Sequence, residues 1–122
     1  MKTKMTFCAL PLTAALLLAA CGSAPKQMYY WKGYNAAVYE RLKNDDGTVG
    51  GQIGKMEKYF DEADRKQLAA APGAYAHMGL LLADAGQTDA AKAQFEKEKQ
   101  QFPESAVFMD FLLKSKTKGG NQ

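Results

Sequence analysis

YAHMGLLLADAGQTDAAKAQFEKEKQQFP, from Tyr75 to Pro103, is the stretch on which the fold turns. Its first half belongs to a run, Ala74 to Ala85, that is apolar nearly throughout and interrupted only by His77 and Asp84, which predicts a helix covered on more than one side. Gly86-Gln87-Thr88 turns the chain. Asp89 to Gln101 predicts a second helix, with Thr88 at its cap, Asp89 against the positive helix end and Pro103 closing it. Two such helices on a short turn run antiparallel. They approach closely only where small residues remove bulk at the crossing, here Gly79 and Ala91, and Tyr75, Met78, Leu82 and Phe95 fill the space around them.

Those residues resemble one tetratricopeptide repeat. Tyr75 stands at the leading aromatic place, Met78 and Gly79 at the leucine-glycine pair and Leu82 at the following tyrosine. Ala91, Phe95 and Pro103 fill the remaining places, and Gly86 sits at the glycine of the turn. The resemblance implies that partners dock on the inner surface of each leading helix. That surface maps to Ala76, Leu80, Ala83 and Asp84 here, and to Lys32, Ala36, Tyr39 and Glu40 in the preceding hairpin. So apolar a surface points to a hydrophobic helix, or to a second copy of the chain, as the ligand. The competing reading is that the fifth helix or the tether covers it.

An isolated hairpin cannot bury its outer faces, so neighbours must stack on it. Tyr30, Tyr34, Val38 and Leu42 recur every four residues and predict a helix from Tyr30 to Lys43. Asn44-Asp45-Asp46-Gly47 stops it, and Gly50 and Gly51 extend the break. A helix from Gln52 to Ala70 follows, with Ile53, Met56, Phe60, Ala63 and Leu68 as its apolar stripe. Ser105 to Lys116 completes the set, with Val107, Phe108, Phe111 and Leu112 expected inward. No period-two run of useful length interrupts the helical pattern. The expected fold is all-α, two stacked tetratricopeptide-like hairpins plus a C-terminal capping helix over residues 29–116, with a disordered tail at 117–122.

The front of the chain reads differently. Lys2 and Lys4 precede an uncharged stretch, Met5 to Ala20, too short for a membrane span and broken by Pro11, which is the layout of a signal peptide at residues 1–20. Leu18-Ala19-Ala20-Cys21 resembles the bacterial lipobox. The resemblance implies cleavage before Cys21, a diacylglycerol on its sulfur and an acyl chain on the new amine, with residues 21–28 as a lipidated tether at the outer membrane. Several acyl chains together make a lasting anchor. Cys8 lies in the removed segment, so the mature chain would hold no disulfide and no cysteine-based metal cluster. Together with "MYYWKGY", Met28 to Tyr34, the chain is similar to a family of small uncharacterised bacterial outer-membrane lipoproteins. These are often encoded beside a lipoprotein resembling the curli secretion channel. That likeness implies a role in an outer-membrane assembly, with an envelope protein, such as a secretion-channel lipoprotein, as the partner.

Composition narrows the rest. Losing Lys2 and Lys4 leaves 14 basic residues of the original 16 against 13 acidic ones, so no nucleic-acid footprint is expected. His77 is the sole histidine, and no nucleophile, acid and base set accompanies it, so no catalytic residue, cofactor or metal is expected. "NDDGTVGGQIGK" fails both as a calcium loop, since Met56 stands where the closing glutamate belongs, and as a phosphate loop, one residue short. "KAQFEKEKQQ" reads as the solvated face of its helix. The aromatics of residues 29–34 read mainly as core, with cell-wall or small-ligand binding as their alternative use.

Overall fold

The computed structural model describes residue 22, residues 24–43 and residues 47–118. The signal segment, Cys21 with its expected lipid, and residues 119–122 of the expected tail lie outside the described residues. Among the described residues the chain is all-α, apart from one short parallel pairing that its periodicity does not announce. Tyr29–Tyr30 (β1) pairs with Ala69–Ala70 (β2), Tyr29 opposite Ala69 and Tyr30 opposite Ala70.

That pairing corrects the start of the first helix and the end of the second. Gly33 takes a φ of 86°, a left-handed conformation open to glycine, and the helix begins only after it. α1 is Tyr34–Lys43. The four-residue recurrence from Tyr30 therefore runs across a strand-to-helix junction. α2 is Val49–Arg65, starting three residues earlier than expected because the Thr48 hydroxyl accepts the Gly51 amide at 3.2 Å and caps a glycine-rich first turn. It stops where Gln67 turns left-handed at φ 54° and Leu68 donates to the Ala63 carbonyl, which frees Ala69 and Ala70 for the strand.

α3 is Ala74–Asp84 and α4 is Thr88–Gln101, joined through Gly86 at φ 76°. Thr88 is the first helical residue rather than the cap. Gln87 holds the cap position, and no side chain bonds there. After a 3-10 turn at Pro103–Ser105, α5 runs Ala106–Lys118.

The hairpins α1–α2 and α3–α4 pack in succession, and α5 lies chiefly against α4. The side chains of Phe95, Met56, Leu81 and Met109 are fully buried at the centre. Phe95 lies over Gly79, where a β-carbon would come within 2.5 Å of the ring. On α5 the expected inward set is largely reversed. Leu112 is buried, but its partner is Met109, while Val107, Phe108 and Phe111 face outward. Residues 109 and 112 share one face of a helix, 107 and 111 point away from it, and 108 lies at its edge.

Candidate functional site

The aromatic segment is built into the fold by Tyr59 of α2. Its hydroxyl donates to the Tyr30 carbonyl and accepts the Ala71 amide at 2.8 Å, so one buried oxygen joins the strand to the start of the second hairpin. Burial pushes the Tyr59 hydroxyl pKa up. Tyr30 is itself buried, and its hydroxyl donates to the Glu62 carboxylate at 2.6 Å. That bond raises the Tyr30 pKa and holds Glu62 below its usual range.

The rings continue outward from this pin. Tyr30 and Tyr34 lie 5.5 and 5.8 Å from Tyr59, Tyr29 lies 5.9 Å from Phe102, and Trp31 rests 6.2 Å from Tyr34. Burial, with the Glu98 charge second, pushes the Tyr34 hydroxyl up to about 12. Core packing thus accounts for three of the four aromatic residues in 29–34, Tyr29, Tyr30 and Tyr34. Trp31 keeps 41% of its surface exposed.

Beside the pin, α1 and α2 enclose an open cleft of about 340 Å³. Lys32, Ala36 and Glu40 line one side, Lys55, Lys58 and Glu62 the other, over the ring of Tyr59. Glu40 and Lys55 close it with an ion pair at 2.6 Å. The lining carries both signs, three lysines and two glutamates, so it suits a ligand carrying both charges rather than a simple anion or cation.

Lys32, Ala36 and Tyr39 are exposed and Glu40 is half-buried, and the first, second and fourth of these share the cleft. The second four expected residues do not join them. Ala76 is buried, Leu80 and Ala83 are half-buried against the core, and Asp84 pairs with Arg41 across α1 and α3 at 2.6 Å. Of the expected packing residues, Met78, Gly79, Leu82, Ala91 and Phe95 are buried. Tyr75 is half-buried, stacked 4.8 Å from Phe60 with the Lys97 ammonium 4.5 Å from its ring, and Pro103 opens the 3-10 turn.

Two polar residues stand where the sequence reading did not place them. Glu98, read as part of a solvated run, is 2% exposed and accepts backbone amides at the start of α3. The clue was indirect: Pro72-Gly73 gives that helix no capping side chain of its own. His77 is also buried, edge-on to Tyr34 at 6.3 Å, with no hydrogen-bond partner on Nε2. Burial, helped by the Arg41 charge, lowers its pKa to about 4.

These features define a small all-α protein in which packed helical hairpins grip an aromatic N-terminal strand. Its sequence matches, over residues 28–112, the family described as Domain of unknown function (DUF4810), and the chain belongs to that family. No curated protein and no solved structure matches it.

Proposed function

We propose that this chain is a lipid-anchored scaffold on the periplasmic side of the outer membrane. Its first hairpin docks a partner protein of an envelope complex, and it works by binding rather than catalysis. The observation that carries the reading is the exposed side of the first hairpin, where Ala36 and Glu40 line a mixed-charge cleft and Tyr39, on the same helix but outside the cleft, is 61% exposed. Three resemblances support the setting: the lipobox at Cys21, the tetratricopeptide-like spacing of Tyr75 to Pro103, and the likeness to lipoproteins encoded beside a curli-channel-like protein. Only the first-hairpin half of the expected groove is retained in the proposal, because Ala76, Leu80 and Ala83 are committed to packing.

The test is cross-linking in cells followed by detergent extraction and identification of the bound protein, with Tyr39→Ala and Lys55→Glu as surface variants. Both side chains are exposed, so the fold should persist while the partner is lost. A complex that survives both changes overturns the reading. Cys21→Ser, scored by uptake of a palmitate analogue, tests the anchor separately.

The exposure of Trp31 favours a second use of the same end, stacking on a cell-wall sugar or small ligand. Retention on purified peptidoglycan, abolished by Trp31→Ala, would support that role in place of protein docking.

A further inference from the structure

The outer face of α5 is apolar where the fold leaves it uncovered. Val107, Phe108 and Phe111 are 84%, 57% and 62% exposed, and the two phenylalanine rings stack 6.4 Å apart. Single exposed apolar residues are ordinary, whereas three on one helical face form a patch. Helical spacing extends the line of 107 and 111 to Lys114, which is exposed. The later part of α5 carries Lys114, Lys116 and Lys118, and the one acidic residue of the helix, Asp110, is paired with Lys99 at 2.6 Å. Apolar rings followed by lysine suit the boundary between acyl chains and anionic headgroups.

Size separates this from a protein interface. Each large aromatic side chain covers roughly 150–250 Å², and three partly exposed residues fall short of the about 800 Å² that each partner gives to a stable complex. A bilayer sets no such minimum for a chain already tethered to it, since the second contact is then intramolecular. Position points the same way. Tyr29 packs on Phe102, one turn before α5, at 5.9 Å. Cys21 lies eight residues before Tyr29, a span of at most about 29 Å, and Val107 lies five residues after Phe102. The anchor and the patch therefore leave the domain from neighbouring points.

We infer that the α5 face of Val107, Phe108, Phe111 and Lys114 rests in the headgroup region of the anionic bilayer holding the anchor, and so sets how the domain stands on the membrane. The geometry rests on the lipid-anchor reading. The test uses the full protein carrying Val107→Cys, labelled with a polarity-sensitive fluorophore. It is reconstituted into vesicles of phosphatidylethanolamine and phosphatidylglycerol that contain a spin-labelled quencher lipid.

The probe should shift to the blue and be quenched, and a matched probe at Asn35→Cys on α1 should do neither. Phe111→Ser, or phosphatidylcholine in place of phosphatidylglycerol, should weaken the quenching. A Val107 probe that stays in water on lipid-bearing protein overturns the inference. So does one that is shielded without lipid quenching, which would mean a protein covers the face. Mass spectrometry of Cys21 scores the anchor independently. If the cysteine bears no lipid, the anchor reading fails, while the same labelled chain held to the vesicles by an N-terminal histidine tag on a nickel-chelating lipid still scores the helix face.

Discussion

The Glu98 carboxylate accepts the Gly73 amide at 2.7 Å and the Ala76 amide at 3.3 Å, so α4 caps the N-terminus of α3. Gly73, the cap residue itself, offers no side-chain bond. A carboxylate there meets both the unpaired amides and the positive end of the helix dipole. Burial raises its pKa, and the backbone bonds draw it back down in part.

Removing that side chain leaves buried amides without an acceptor, which costs about 1–3 kcal/mol. Glu98→Ala should therefore lower the melting temperature by several degrees, given roughly 4–8 °C per kcal/mol in a domain of this size. Glu98→Gln keeps an acceptor oxygen and should lose less. Thermal circular dichroism at neutral pH compares the two. An alanine variant that melts with the parent would mean another group supplies the cap.

Gly79 and Phe95 make the second expectation. A methyl group added at Gly79 meets ring atoms of Phe95 at 2.5 and 2.7 Å, and the ring is fully buried. Helix propensity favours alanine over glycine by about 1 kcal/mol, whereas overpacking a tight core costs about 1–3 kcal/mol. The clash should win, so Gly79→Ala should destabilise. Phe95→Leu alone should destabilise as well, but in the double variant the two losses should add to less than their sum. Strict additivity in urea melts would show that the two positions do not meet.

Tyr59 holds two segments with one hydroxyl, so its removal should loosen both. Tyr59→Phe keeps the ring contacts but leaves the Ala71 amide and the Tyr30 carbonyl without that partner. Hydrogen exchange should then rise together at residues 29–31 and 69–71, with little change in α4. Faster exchange at only one of the two segments would mean that the pin is not shared.

The helical layout was legible because Met56, Phe60 and Ala63, Met78 and Leu82, and Ala91 and Phe95 fall at helical spacing, and Gly86 and Pro103 mark the ends of elements. The strand was not legible, since two residues on each side are too few to show a period, and Tyr30 happens to continue the spacing of α1. Nor was the outward turn of Phe108 and Phe111. Composition marks them as core, and only the phase set by the turn at Pro103–Ser105 shows that Met109 and Leu112 take the inner face instead. Buried Glu98 was hidden because a charged run is usually solvated. Ala76 and Leu80 were ambiguous for a related reason: they read equally well as groove or core, and they pack in or against the core.

His77 gives stability a pH dependence whose sign follows from its burial. Its pKa falls from the ordinary 6.5 to about 4 in the folded chain. Between those values the unfolded chain binds the proton and the folded ring does not, so stability is full above about pH 6.5 and drains away as pH falls towards 4. At about 1.36 kcal/mol per pH unit, the loss is on the order of 3 kcal/mol. Glu98 acts in the opposite sense, because its raised pKa favours the protonated folded state at low pH. The His77 contribution must therefore be isolated by substitution. His77→Phe preserves a ring edge-on to Tyr34 and removes an Nε2 that has no partner. It should match or exceed the parent's stability near neutral pH and show a flatter decline in urea midpoint as the solution is acidified. A parallel decline in the two proteins would place the acid sensitivity elsewhere, and a sharp loss at neutral pH would mean that the imidazole makes a bond the packing does not reveal.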